Sequence, residues 1–445
     1  MANAGSEIMV KSYPRHALWL VALPTILAVA SRSATAAAFA TAVLLLLMSP
    51  IRTTGRAFLV QPHVICLALV IALIICRPNY PAVPVQLVFI ALAIAASVRA
   101  VQLAGDRATA FIAILDGVGI YLLASVVLYL AGMRSSAASG RSAGLENGLT
   151  GMERVIFPLS NSLATTPALA AVFIVGAAAL VRRDSPLRKT RIAAIVLAIA
   201  MLVLSEARLV LFAAPMLGLV ALFVPQLLRT LTPIITIAAA ALPFVYPSVQ
   251  SLVAESTIRA EALLPNATRA GEEVGSLNQR DFIWSRSISF IESDATYPQR
   301  FFGSGMFGHA ASGGSKSYYP QFDGLGRDAS LMTPHSTAVQ ILFDAGFVGS
   351  VLMLVAVLGV VFTLRKQPGT RPAQAAQGMI AALMIASTTE VTLSVAHAQL
   401  TWWVFVMIVA AAGLKVPSPL AHTPAPTASR RTIPSEQIKL SKVLP

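Results

Sequence analysis

Apolar residues along this chain gather into runs of roughly 15–25 positions, separated by short basic or proline-bearing segments. Runs of that length match the ~30 Å of hydrocarbon in a bilayer. Hydrocarbon supplies no water to unpaired backbone groups, so such runs are expected to be helices. The pattern predicts twelve spans, at about 16–31, 34–50, 60–76, 82–99, 111–131, 164–181, 191–205, 207–225, 231–248, 336–364, 376–395 and 398–415. Pro78 and Pro81 part the third from the fourth, and Pro225 and Pro233 part the eighth from the ninth. The tenth run is long enough to be tilted or broken. Glu390 and His397 fall near the junction of the last two. Lys11 and Arg15 precede the first run, which reads as a membrane anchor rather than a cleaved signal because many spans follow.

Two segments are too long to be plain connectors: 132–163 and 249–335. Loops beyond ~15 residues are commonly functional or structured. The longer one holds a large share of the chain's 19 acidic residues, together with Trp284, Tyr297, Tyr318 and Tyr319. Mixed charge with aromatics suits a sugar-binding surface or any solvated subdomain. Short helices are expected within it, one near 278–292. The predicted organisation is therefore membrane helices over 1–248, a large loop over 249–335, further membrane helices over 336–415 and a tail over 416–445. The Pro, Ser and Thr content of the tail predicts disorder.

Basic residues sharpen this layout. Lys11, Arg52, Arg56, Arg99, Arg107, the group Arg182 to Arg191, Arg365 and Lys366 all fall on one side when the N-terminus is placed inside. The short loops of that side are the basic ones, so the positive-inside rule sets the long loops outside. Composition agrees: 56% of the 445 residues are hydrophobic and only 12% charged, against about 25% in a soluble domain. The net charge of +14 is spread through inter-span clusters, which argues against nucleic acid as a partner. Cys66 and Cys76 lie ten positions apart in one predicted helix, about 15 Å along its axis, and cannot pair.

Ionisable groups at membrane depth or at its edge are costly, and each asks for a reason. Arg208 follows Ser205-Glu206-Ala207 at the outer end of the eighth span; it suits an interface arginine paired with Glu206, or an anion ligand. Arg280, in Asn278-Gln279-Arg280-Asp281-Phe282-Ile283-Trp284, is either a loop arginine paired with an acid or a fork for phosphate oxygens. His335, in Thr333-Pro334-His335-Ser336-Thr337, sits where the tenth span begins; Thr333 is a candidate cap and Pro334 a candidate first-turn residue. It is a boundary histidine or a general base. Gly303-Ser304-Gly305-Met306-Phe307-Gly308 matches GxGxxG, but no strand precedes it in a βαβ unit, so a tight turn explains it better than a dinucleotide. His309, Asp323, Asp328 and His335 fit no standard metal spacing, and no metal is expected. Gly346 and Gly349 suggest close helix packing, and Asp116, Asp344 and Glu390 suggest paired structural charges rather than a proton relay.

In combination these features become specific. An arginine opening a span, a long outer loop with Arg280 and Trp284, then Gly303–Gly308, then Pro334-His335-Ser336-Thr337 with Gln340 and Gly346–Gly349, stand in an order that resembles the O-antigen ligase and O-antigen polymerase superfamily, the WaaL and Wzy type proteins of bacterial surface-polysaccharide assembly. The resemblance implies an all-α polytopic bundle of the C-type glycosyltransferase kind in the bacterial inner membrane, with its active site facing the periplasm. It implies an undecaprenyl-diphosphate-linked glycan donor, a glycan acceptor, no cofactor, and a chain-length regulator and flippase of the same pathway as partners. Arg208 and Arg280 match the family arginines that hold the diphosphate, and His335 the histidine that activates the acceptor hydroxyl. A polysaccharide polymerase is expected, with a ligase as close rival. A lipid-linked oligosaccharide flippase would carry more charge within its spans and less bulk outside.

Overall fold

The computed structural model describes residues 17–33, 61–77, 83–135, 154–160, 162–181, 186–261, 279–322, 332–367, 369–397 and 399–414. Their regular structure is helical throughout. The helices are α1 Leu18–Ser33, α2 Pro62–Ile75, α3 Val83–Ala104, α4 Arg107–Leu130, α5 Thr165–Leu180, α6 Arg188–Ser205, α7 Arg208–Phe223, α8 Pro225–Glu261, α9 Arg280–Ser293, α10 Tyr297–Phe302, α11 Gly308–Ala311, α12 Thr337–Arg365, α13 Arg371–Thr389 and α14 Leu400–Gly413. Every predicted apolar run among the described residues coincides with one of them. The predicted second span, 34–50, and the tail lie outside the described residues.

Helix α5 runs through the middle of the bundle with every residue buried, packed mainly on α13, α7 and α6, and α14 is buried along its whole length. Small residues allow this depth. A Cβ on Gly176 would come within 2.8 Å of Leu115, and one on Gly378 within 2.7 Å of Val175. The outer helices instead leave large apolar side chains uncovered, such as Phe212 (68% exposed), Val196 (61%) and Phe223 (73%). Water would not tolerate so wide an apolar surface, whereas lipid does. Four helices, α3 from Leu87, α4, α8 to Tyr246 and α12, are long and apolar enough alone to cross a membrane. The others are shorter or less apolar, so the expected count of twelve crossings does not follow from helix length and composition.

Three details depart from the sequence reading. First, α8 continues past 248 to Glu261, so the segment expected as a long loop begins as an extension of an apolar helix. Second, α12 starts at Thr337 with Ser336 as its extended N-cap residue, not at Pro334 under a Thr333 cap. The reason is the positive φ of His335 (49°), which ends any helical path through it. Third, α13 stops at Thr389, short of the predicted 395, because Glu390 turns to an extended backbone (φ −145°, ψ 152°) and leads into a buried irregular segment.

The bundle has two distinct ends. At one, Arg229 donates to the Arg365 carbonyl (2.6 Å), Arg371 to the Ala179 carbonyl (3.1 Å) and Arg191 to the Leu180 carbonyl (3.0 Å). At the other lie the starts of α5, α7, α9 and α12 and the exit of α13, where Thr165 approaches Gln399 (3.4 Å) and Thr337 meets Glu390.

Candidate active site

Arg280 and His335, 55 residues apart in sequence, converge on one carboxylate. Arg280 Nη2 lies 2.5 Å from Glu390 Oε1, and His335 Nδ1 lies 3.5 Å from Glu390 Oε2. All three side chains keep partial exposure, between 22% and 34%, so they sit at a rim and not in the core.

The local sequence explains how each is held. Arg280 is the first residue of α9, launched by a left-handed Gln279 (φ 63°). One turn on, the fully buried Trp284 donates its indole N–H to the Pro334 carbonyl at 3.0 Å and packs edge-on against Tyr246. The helix that carries Arg280 thus fixes the residue preceding His335. On the other side, Thr337 donates to the Glu390 carbonyl (3.1 Å) and accepts from the backbone N–H groups of Thr392 (3.0 Å) and Leu393 (3.2 Å). The start of α12 therefore positions both the histidine and its acid. A carboxylate only accepts, so Nδ1 of His335 is the donor and Nε2 remains an acceptor. Burial works to raise the Glu390 carboxyl, but Arg280 and then His335 outweigh it and lower the group to about 2. Arg280 Nε, shielded from solvent, has no hydrogen-bond partner among the described residues, a donor left over for a ligand.

Arg208 stands at the same rim in a second cluster. It opens α7, and the far end of that helix, Phe223, shares a cavity with Arg371 at the opposite end of the bundle. Its Nη2 lies 3.0 Å from Glu206 Oε1, and Arg154 Nε lies 3.5 Å from Glu206 Oε2. Arg154 also donates to the Ser205 carbonyl (3.2 Å), so two guanidinium groups share one buried carboxylate. Glu206 is left-handed too, at φ 50°. Left-handed non-glycine residues thus lie two positions before Arg208, directly before Arg280 and at His335 itself; strain of this kind collects at functional sites.

The glycine-rich stretch serves packing. Gly303 and Gly305 have positive φ (73° and 83°), and their N–H neighbours bond to α12: Ser304 to the Phe343 carbonyl (2.8 Å) and Gly305 to that of Asp344 (2.9 Å). A Cβ on Gly303 would strike the Asp344–Ala345 peptide. Asp344 was expected in a charge pair, and among the described residues it has no charged partner. Its carboxylate accepts from Gly308 N–H (2.7 Å), Gln340 Nε2 (2.7 Å) and the Ser394 hydroxyl (3.4 Å), all neutral. Gly346 is not at helical spacing with Gly349: its φ of 68° and ψ of −167° break α12 where the Phe301 and Gly303 backbones press on it. Asp323 and Asp328 lie outside the described residues.

The pairing of Arg208 with Glu206 was legible from their closeness in sequence, whereas Glu390 was legible only as a costly charge, and nothing in its spacing named Arg280 or His335. No curated protein matches the chain. Residues 193–354, the stretch that contains Arg208, Arg280 and His335, match the family model described as O-antigen ligase and are similar to that family.

Proposed function

We propose that the chain is a polysaccharide polymerase that transfers an undecaprenyl-diphosphate-linked glycan to the next lipid-linked repeat unit at the periplasmic face of the inner membrane. The observation that carries the reading is the carboxylate of Glu390 lying between Arg280 and His335 at one rim of an apolar bundle. His335 Nε2 takes the proton of the acceptor hydroxyl as its oxygen attacks the anomeric carbon of the donor. The bond from that carbon to the phosphate oxygen breaks, and the lipid diphosphate leaves with the electron pair. Arg208 and Arg280 stabilise the charge growing on it, the former with Arg154 behind it. A single displacement of this kind inverts the anomeric centre and requires no metal. Glu390 keeps the His335 proton on Nδ1 and stabilises the imidazolium that forms.

His335→Ala and Arg280→Ala should each abolish elongation, a loss of about 10² or more, while the membrane level of the protein is unchanged. Full-length polymer from both variants would end the assignment. The ligase reading, transfer of finished glycan to lipid A core or to a protein, is favoured by the description of the matching family model. Deleting the gene separates the two. Acceptors capped by single repeat units indicate a lost polymerase; long chains stranded on the lipid carrier indicate a lost ligase.

A further inference from the structure

The geometry points to a second lipid site, at the end of the bundle away from Arg280 and His335, that takes an anionic diacyl phospholipid of the opposite leaflet. A cavity of about 760 Å³ lies among α5, α6, α7 and the start of α13. Its walls are apolar: Ile192, Val196 and Ile199 on one side, Leu219 and Phe223 on the other, Ile174 at the back. Val196, Leu219 and Phe223 are all more than half exposed, so the cavity opens to the lipid-facing surface. On α6 the lining runs from Arg188 to Ile199, about 16 Å at 1.5 Å per residue. That is roughly half of the ~30 Å hydrocarbon thickness, the depth of one leaflet.

Among the described residues, the charged side chains lining it are Arg188 and Arg371, both at its end. Arg188 is exposed, with Lys189 beside it. Arg371 gives one N–H to the Ala179 carbonyl (3.1 Å) out of the five donors of a guanidinium. An occupant must therefore present a long apolar body to the groove and an anion to its mouth. A zwitterionic headgroup would set its own cation against the two arginines, and a free phosphate would leave the apolar walls unfilled. Basic pockets between membrane helices take anionic lipid headgroups on this principle. The occupant is not the donor of the proposed reaction. Arg371 and Glu390 stand at the two ends of α13, whose 19 residues span about 28 Å, nearly the whole bilayer.

The test is native mass spectrometry and thermal unfolding of the full chain in detergent, titrated with phosphatidylglycerol, phosphatidylcholine or inorganic phosphate. Phosphatidylglycerol should bind one to one and raise the Tm; phosphatidylcholine and phosphate should do neither. Arg188→Gln and Arg371→Gln should each weaken phosphatidylglycerol about fivefold, and the pair about thirtyfold. Val196→Trp leaves the charges in place and fills the groove from its open side, and it should abolish the adduct. Equal stabilisation by phosphatidylcholine, undiminished binding to the double arginine variant, or full binding to Val196→Trp would each overturn the site. So would a dimer of the chain that excludes phosphatidylglycerol from the groove.

Discussion

Glu390 decides the chemistry of the rim one atom at a time. With it, Arg280 is neutralised on one side only and His335 is turned so that Nε2 is available; without it, a guanidinium is left beside an unanchored imidazole. Glu390→Gln keeps the shape and removes the charge. Elongation should fall by about 10² or more, and an Asp at 390 should restore less than the glutamate because its shorter arm cannot reach both partners. The lowered Glu390 carboxyl also has a pH consequence. Its folded value, about 2, lies below its ordinary 4.5, so ionisation stabilises the fold. That contribution is complete above about 4.5 and is lost as pH falls toward about 2. The Tm gap between wild type and Glu390→Gln should be constant above pH 4.5 and close below it. A gap that persists unchanged at pH 2 would remove the ion pair as its cause.

Elements translate these atoms into position, and here the hydrophobic pattern told much and missed the rest for a physical reason. Run length located each apolar helix among the described residues, because burial in lipid or core depends on composition over a whole turn or more. It also placed α9 within a residue or two of where it lies. The ends it missed are set by contacts distant in sequence. The α13 exit is fixed by Thr337 and Arg280, and the α12 break at Gly346 by the peptides of Phe301 and Gly303. No local window carries that information. Arg208, Arg280 and His335 were visible as residue types at costly places, whereas Glu390 and Arg154 became meaningful only through their partners. Gly346→Ala tests the element level directly. Its backbone conformation is one that essentially only glycine adopts, and an added methyl would meet the α10 exit. A cost of roughly 1–3 kcal/mol is expected, read as a lower Tm, with weaker elongation as the α10–α12 contact loosens.

At the scale of the whole molecule, the proposed reaction requires the two ends of the bundle to face different compartments. The chain carries a natural reporter for this. Cys76 ends α2 and is exposed, and its neighbour Arg77 donates to the Gly303 carbonyl at 2.8 Å, at the rim that bears Arg280. Helix α12 runs antiparallel to α2, with Gly349 near Leu73 and Gly359 near His63, so Lys366 at its end belongs to the basic side. In a Cys66→Ser background, a membrane-impermeant maleimide added to cells with only the outer membrane opened should label Cys76. In a chain lacking both native cysteines, Lys366→Cys should react only after the inner membrane is breached. Labelling of both from the same side would contradict the two-ended bundle itself. The reverse order of labelling would leave the bundle intact and put the Arg280 rim in the cytoplasm. No glycan carried on the outer leaflet could then reach the rim, and the polymerase and ligase readings would fall together.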